Sequence, residues 1–406
     1  MRLEEEMRLI KGGLQELISE DELREKLKEA RQENRPLRVK LGLDPSAPDI
    51  HLGHTVVLEK LRQFQELGHR VVLIIGDFTG RIGDPSGRSK TRPALGEEEV
   101  RKNAKTYQEQ FSRILDPEQT ELVFNSKWLS QLKFEEVLSL ASRYTVARML
   151  ERDDFASRYR QNKPIGIHEF FYPLMQGYDS VAIEADIELG GTDQKFNLLV
   201  GRVLQREFGQ SPQVVMMLPL LEGLDGNEKM SKSLDNYVGI DEKPAEIYGK
   251  LMSLADELLL SYFQLVTAIT PGELEELKEK LERGELHPKE AKKDLARRVV
   301  SRYHGQEAAV KAEREFERVY EEGFLPEEMP VFKLQPGDLQ EGKVWIVRLI
   351  SRSGLVDSNS QARRLIKQGA VSLDGELINE IDLDLPVEDG MVLKIGKKRF
   401  ARLSLD

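Results

Sequence analysis

The chain has no cysteine in 406 residues. That excludes disulfides and thiolate metal sites, and it leaves the redox compartment unconstrained. Histidine is scarce, at six, and tryptophan scarcer, at two. No apolar run approaches the roughly 20 residues of a membrane span. No leader pattern is visible, since Met1-Arg-Leu-Glu-Glu-Glu6 is charged at once. A cytoplasmic protein is therefore the expectation. There is no basic excess either. The net charge is −11, which excludes a general nucleic-acid coat but not a locally basic surface.

What is present is concentrated in Lys40-Leu-Gly42-Leu-Asp44-Pro-Ser46-Ala-Pro-Asp-Ile-His51-Leu-Gly53-His54. An extended apolar segment, Val39 to Leu43, runs into a Pro/Ser/Asp loop. A helical pattern begins near Thr55 and runs through Val57, Leu61, Phe64 and Leu67 to Gly68. Val71-Val-Leu-Ile-Ile75 is a second strand, so the unit reads βαβ. Ligands in such folds sit where strands end and helices begin, because N–H groups and the helix dipole favour anions there. Two histidines suit a nucleotide phosphate at that junction, and the glycine leaves room for a base or ribose. Taken alone, His51-Leu-Gly-His54 also fits a solvated helical face or half of a zinc site. Zinc lacks a nearby third histidine or a cysteine.

In chain order, residues 1–36 look helical and charged, with Ser19 and Glu22 as a capping box and Pro36 as the stop. The nucleotide-binding unit spans 37–240. Its loop from Gly76 to Gly87 holds four glycines in twelve residues, which suits close backbone approach to a ligand. Residues 96–180 read as a mostly helical insertion with one short strand at 121–125. Strands are expected at 181–187 and 213–218, with Gly190-Gly191-Thr-Asp193-Gln194 opening a helix between them. The second half is then βαβ-like, as an α/β doubly wound, Rossmann-like parallel sheet requires. Residues 241–325 read as a helical domain and 326–342 as a linker. Residues 343–406 read as a small α+β unit, with helices at 346–350 and 360–367 and strands at 370–373, 376–378, 391–395 and 400–403.

Lys229-Met-Ser-Lys232-Ser233 lies in a glycine-flanked loop 175 positions after His54. A lysine loop alone is usually just solvated. Paired with the upstream histidines, it resembles the first class of aminoacyl-tRNA synthetases. Five of five residues match at this motif and three of four at the first, with Leu52 in place of the usual isoleucine. The resemblance covers nearly the whole chain and is nearest to tyrosine-specific members of the bacterial type. It rests also on Gly83-Asp84-Pro-Ser-Gly87, on Tyr172, Gln176 and Asp179, on Gly190 to Gln194, and on the tail.

The resemblance implies a tyrosine–tRNA ligase using ATP with Mg²⁺. Gly42, Asp44, Asp84, Tyr172, Gln176 and Gln194 would surround the amino acid, whose ammonium wants carboxylate, phenol and amide oxygens. Asp179 would accept the substrate phenol proton, although an aspartate there also fits a turn cap. Ser46, Gly53, Gly191, Asp193 and Ser233 would hold ATP, with Asp193 on the ribose or as an N-cap. His51 and His54 would donate to phosphate oxygens, and Lys229 and Lys232 would neutralise the departing pyrophosphate. No residue is assigned as a metal ligand. One branch of the family has a tyrosine where this chain has Lys40, so no substrate contact is assigned to Lys40.

The tail resembles an RNA-binding module of a small-subunit ribosomal protein. That resemblance implies tRNA contacts by Arg363, Arg364, Lys367, Lys397, Lys398 and Arg399. Residues 345–406 hold ten Lys/Arg against nine Asp/Glu, so only the clustering is basic. A solvated dimerisation or capping unit fits the same composition. The implied partners are tRNA, L-tyrosine, ATP and a second copy of the chain through 96–180. The alternatives are a tryptophanyl enzyme, a nucleotidyltransferase of coenzyme synthesis and a non-catalytic RNA-binding paralogue. Asp179 and the tail, the length, and the intact histidines and lysines respectively weigh against them.

Overall fold

The computed structural model describes residues 1–44, 50–83, 97–320, 324–325, 329–339, 342–396 and 399–405. The chain divides into two compact units, Met1–Gln306 and Glu307–Asp406.

A six-stranded sheet forms the centre of the first unit. Its strands are β1 (Glu16–Ile18), β2 (Arg38–Leu43), β3 (Arg70–Ile75), β4 (Thr120–Phe124), β5 (Ile187–Gly191) and β6 (Val214–Leu218). The spatial order is β1-β6-β5-β2-β3-β4. From β2 the chain steps to β3 and β4 on one side, then returns to β5 and β6 on the other. The β2/β5 boundary is therefore the switch point, where a doubly wound sheet opens a crevice at the carboxyl ends of its strands. β3 is Arg-Val-Val-Leu-Ile-Ile, and all but its first residue is buried. β6, Val-Val-Met-Met-Leu, is buried throughout. Such continuous apolar runs mark strands covered on both faces.

The doubly wound α/β class is as expected, but the sheet is mixed. β1 pairs antiparallel with β6, so residues 1–36 are not purely helical. Two helices, Leu3–Lys11 and Glu20–Gln32, flank that strand. Ser19 caps the second, its Oγ accepting from the Glu22 N–H. Lys60 closes the first by donating to the carbonyls of Ile10 (2.9 Å) and Gly12 (2.6 Å). A cation at a helix carboxyl end complements the dipole.

Other boundaries shift. The first nucleotide-binding helix runs Leu52–Glu66, with His51 as its N-cap. The strand read inside the insertion is β4, a member of the main sheet beside β3. The strand expected at 181–187 is instead the end of a long helix, Ile167–Ala182, and β5 begins only at Ile187. That helix packs closely on the next, Lys195–Glu207. A Cβ at Gly177 would lie 2.9 Å from Leu204 Cδ1 and 3.2 Å from the Gly201 nitrogen. The helices Pro244–Met252, Leu259–Val266, Pro271–Glu282 and Pro288–His304 complete the unit.

In the second unit a sheet of Val331–Lys333, Val371–Leu373, Glu376–Leu377, Val392–Ile395 and Arg399–Ser404 backs two helices, Ile346–Arg352 and Asn359–Lys367. Its core includes Ile346, Val347, Ile350, Ala362, Ile366, Leu393 and Leu403. The expected linker is partly structured, because Val331–Lys333 pairs with the last strand and Leu334 is buried in this core.

Candidate active site

The candidate site gathers residues from β2 and the loop after it, from the turns after β3, β4 and β5, and from the helix Ile167–Ala182. Tyr172, Gln176 and Asp179 fall at i, i+4 and i+7 of the helix Ile167–Ala182, on one face. Lys40 and Gly42 share one face of β2, and Asp44 follows its end. No atom among the described residues lies within 4 Å of a Cβ built on Gly42.

One continuous chain of hydrogen bonds lines this region. The Tyr172 hydroxyl donates to Asp44 Oδ2 (2.8 Å), and the Thr79 hydroxyl donates to Asp44 Oδ1 (2.7 Å). Asn125 Nδ2 donates to Thr79 Oγ1 (3.1 Å) and to Asp179 Oδ2 (3.2 Å). Trp128 Nε1 donates to Asp179 Oδ1 (2.8 Å). Asn125 is fixed in turn, its Oδ1 accepting from the Phe78 N–H. Gly76 makes room for the array, since a Cβ there would meet Asp44 Oδ1 at 2.0 Å. Burial pushes the Asp179 carboxyl up to about 7, opposed by Lys40, Trp128 and Asn125. Thr79, Asn125 and Trp128 were not singled out from the sequence. The only signal for them was a rare tryptophan just beyond an expected strand.

Lys40 is fully buried. Its Nζ donates to the Gln176 carbonyl (3.0 Å) and Ser180 Oγ (2.7 Å) and pairs with Glu188 Oε1 (2.8 Å). The ammonium thus makes two hydrogen bonds and one ion pair.

The two sequence motifs meet. Leu52 N–H donates to the Val238 carbonyl (2.9 Å), and Ile240 N–H donates to the Ile50 carbonyl (3.0 Å). The foot of the lysine loop is thereby stitched to the histidine turn, and the Gly53 N–H donates to the Met230 sulfur (3.3 Å). A Cβ at Gly53 would stand 3.0 Å from the His51 ring. His54 Nδ1 accepts from the His51 N–H (3.3 Å), which leaves the His54 proton on Nε2. The two rings stack with centroids 3.8 Å apart. Burial, with His54, Lys232 and Lys229 adding repulsion, pushes His51 down to about 2. His51 is therefore a neutral imidazole at any physiological pH, a hydrogen-bonding group rather than a cation. Its buried Nδ1 has no partner among the described residues.

Asn236 braces the loop. Its Oδ1 accepts from the Ser231 N–H (2.7 Å), and its Nδ2 donates to Asp225 Oδ2 (3.0 Å) and the Lys229 carbonyl (3.2 Å). Lys229 Nζ is paired with Asp193, and Lys232 Nζ stands 5.5 Å from the centroid of the Tyr237 ring. Gly191 ends β5, and a Cβ there would lie 2.7 Å from both Asp193 Oδ1 and Leu220 Cδ2, so either side chain would have to move. Gln194 Oε1 accepts from Asn197 Nδ2 (3.0 Å). Ser46 and Asp84 lie outside the described residues, as does the Ser233 side chain.

In the second unit Arg363, Arg364 and Lys367 are exposed on the helix Asn359–Lys367 while Ala362 and Ile366 anchor it. Arg363 stands over the Trp345 ring at 5.4 Å, and Arg399 is held by the Leu355 carbonyl. Lys397 and Lys398 lie outside the described residues.

A carboxylate–phenol pair, a turn carrying the neutral imidazole of His51 beside His54, and a lysine loop stitched to that turn, at the switch point of a doubly wound sheet, define a nucleotide-dependent activating enzyme. The profile of the class I tRNA synthetases (W and Y) matches residues 32–321, and that of the S4 domain matches 344–389. The chain is 59% identical over 398 residues to the tyrosine–tRNA ligase of Moorella thermoacetica, covering 98% of this chain and 95% of that one. It is 56% identical over 403 residues to the tyrosine–tRNA ligase of Carboxydothermus hydrogenoformans, covering 99% and 98%. The crystal structure of a tyrosyl-tRNA synthetase from Archaeoglobus fulgidus complexed with L-tyrosine superposes with a TM-score of 0.63 at 26% identity, covering 77% of this chain and all of that one. The chain belongs to the class I tRNA synthetases of the W and Y group, and within them to the family of its bacterial tyrosine–tRNA ligase relatives.

Proposed function

We propose that this chain activates L-tyrosine with ATP and transfers the tyrosyl group to the terminal adenosine of its tRNA. The observation that carries this reading is the hydrogen-bond chain from Tyr172 and Asp44 to Asp179. It sets an ammonium-binding end against a hydroxyl-binding end within one site. Tyr172, Gln176 and Asp44, with Gly42, Gln194 and Asp84, hold the amino acid. Asp179 accepts from its phenol, which a tryptophan substrate does not have.

The tyrosine carboxylate is already ionised, so no general base is needed. It attacks the α-phosphate, and pyrophosphate leaves. Catalysis is positioning plus stabilisation of the phosphate oxygens. His51 and His54 donate to those oxygens. Ser46, Gly53, Gly191, Asp193 and Ser233 hold the nucleotide. Lys229 leaves Asp193 as the ribose takes its place, and Lys229 and Lys232 then meet the departing pyrophosphate. Mg²⁺ would enter with the nucleotide and would add positive charge at its phosphates. In the second step a hydroxyl of the terminal adenosine attacks the tyrosyl carbonyl, and AMP leaves.

The S4 unit supplies tRNA backbone contacts through Arg363, Arg364, Lys367, Lys397, Lys398 and Arg399. Its strand Val331–Lys333 pairs with the last strand of the chain, so a clean removal must cut before it. A chain ending at Glu321 keeps the whole span that matches the synthetase profile. It is expected to retain tyrosine-dependent pyrophosphate exchange and to charge tRNA poorly, with the salt dependence of tRNA binding flattened by about 0.7–0.9 per lost phosphate contact. Full charging by the shortened chain would overturn the RNA-binding role.

The working unit is a cytoplasmic homodimer through 96–180. Phe134, Val146 and Ile167 in that segment are 75%, 61% and 76% exposed, more than isolated large apolar residues need to be. No helix among the described residues is long and apolar enough to cross a membrane. Sedimentation equilibrium should give twice the 46.4 kDa chain mass. A strict monomer at working concentration would refute the dimer.

A further inference from the structure

A cation stands fully buried one layer behind the amino-acid site. Lys40 occupies β2 on the face that meets the helix Ile167–Ala182. Its ammonium donates to the Gln176 carbonyl and Ser180 Oγ and forms an ion pair with Glu188 Oε1. Two of these belong to the helical turn that carries Gln176 and Asp179. Glu188 is itself braced, its Oε2 accepting from Ser180 Oγ (3.1 Å) and from Gln213 Nε2. Lys40 is fully buried and engaged with Gln176, Ser180 and Glu188 behind the pocket, so no substrate contact is assigned to it. Its position is therefore explained neither by a ligand contact nor by ordinary packing, since lysine is rarely buried.

Charged groups from two strands bear on Asp179: Lys40 from β2, which favours its ionised form, and Glu188 from β5, which opposes it. The turn 125–128 reaches its carboxylate with the neutral donors Asn125 and Trp128, while Lys127 of that turn is exposed, and Asp44 lies beyond Thr79 and Asn125. Lys40 is thus a buried cation that bears on both Asp179 and Glu188.

We propose that Lys40 is a specificity-determining positioning residue. With Glu188 and Ser180 it holds the Gln176–Ser180 turn from behind, and its charge keeps Asp179 an acceptor for the substrate phenol. The role rests on Asp179 reading that phenol, as proposed above. Lys40 acts from outside the pocket, through the residue that touches substrate. It bears on tyrosine and leaves phenylalanine, which has no hydroxyl to donate, indifferent.

The test uses the full-length Lys40→Met and Lys40→Met/Glu188→Gln variants. The double variant removes the buried Glu188 charge that would lose its ion-pair partner and guards against loss of folding. Pyrophosphate exchange with tyrosine and with phenylalanine is measured from pH 5.5 to 9, and thermal melting reports folding. For Lys40→Met the acid limb of tyrosine kcat/KM should move up by roughly 1–3 pH units, the range that one neighbouring charge commands. The loss at neutral pH should fall mainly in the tyrosine KM and recover at high pH. Phenylalanine values should stay within about twofold of the unmodified enzyme. The double variant should move the limb in the same direction by less, because Lys40 outweighs Glu188 at Asp179. An unmoved limb in a folded variant, or parallel losses for both amino acids, would overturn the proposal. Asp179→Ala assayed alongside separates the two readings. If it leaves the tyrosine/phenylalanine ratio intact, the role of Asp179 fails. If it collapses the ratio while Lys40→Met leaves the limb in place, only the role of Lys40 fails.

Discussion

Asp179→Ala is expected to bring the preference for tyrosine over phenylalanine down by several orders of magnitude. A site built to hydrogen-bond a substrate hydroxyl rejects the analogue lacking it by ~10⁴–10⁵, a range for which tyrosyl enzymes are themselves the standard example. The cause is the cost of leaving a buried acceptor unpaired. Asp179 is buried and already takes Trp128 Nε1 and Asn125 Nδ2. A carboxylate has capacity for about four donors, so a phenol can still be added. Alanine removes the acceptor and leaves Trp128 and Asn125 without their partner. Tyrosine kcat/KM should therefore drop while phenylalanine changes little. The pH profile gives the sign independently. Burial pushes the carboxyl up to about 7, and the acceptor form is the ionised one. Tyrosine kcat/KM, which reports the free enzyme, should rise with pH through that region, and the limb should vanish in Asp179→Ala. Equal losses for both amino acids would make Asp179 structural.

Lys232→Ala should slow tyrosyl-adenylate formation by roughly 10²–10³-fold, the scale of losing one preorganised charge donor. Tyrosine affinity should hardly change, because the hydrogen bonds that join Asp44, Tyr172 and Asp179 run through Thr79 and Asn125. The lysine stands close enough to His51 to help suppress its protonation. Its loop is fixed at one foot by the Ile50–Ile240 stitching, along its length by Asn236, and at its tip by Met230 on Gly53. The charge is thus delivered without a large search. Stopped-flow fluorescence at saturating tyrosine and ATP separates the step from binding. A near-native activation rate would remove Lys232 from the catalytic set.

The backbone of this site was readable because it is written in local signals. The β2 run, the His-x-Gly-His turn and the lysine motif each lie in a short window. The helix start was misplaced because His51 is a weak capping signal beside the usual Ser, Thr or Asp. The strand read at 181–187 failed for a different reason. Val181, Ile183 and Ala185 alternate as a strand would, yet the helix from Ile167 runs on to Ala182 because its face packs on Val200 and Leu204. Thr79, Asn125 and Trp128 could not be placed beside Asp179 without knowing that β4 lies next to β3. Lys40 was opaque on the same ground. A lysine in a strand reads as pointing to solvent, and its partner Glu188 is 148 positions away.

The three residues of β1 carry a consequence for handling the protein. β6 is an unbroken apolar strand, and without β1 its outer edge would offer a row of unpaired N–H and C=O groups. Such an edge recruits other chains, and Val-Val-Met-Met-Leu, with no charge and no proline, is the kind of sequence that stacks. The synthetase profile begins at residue 32, after β1 has passed. A protein trimmed to the matched region would keep every residue assigned to the amino acid and the nucleotide, and would still be lost to self-association. The segment before residue 32 acts as the guard of a sticky edge.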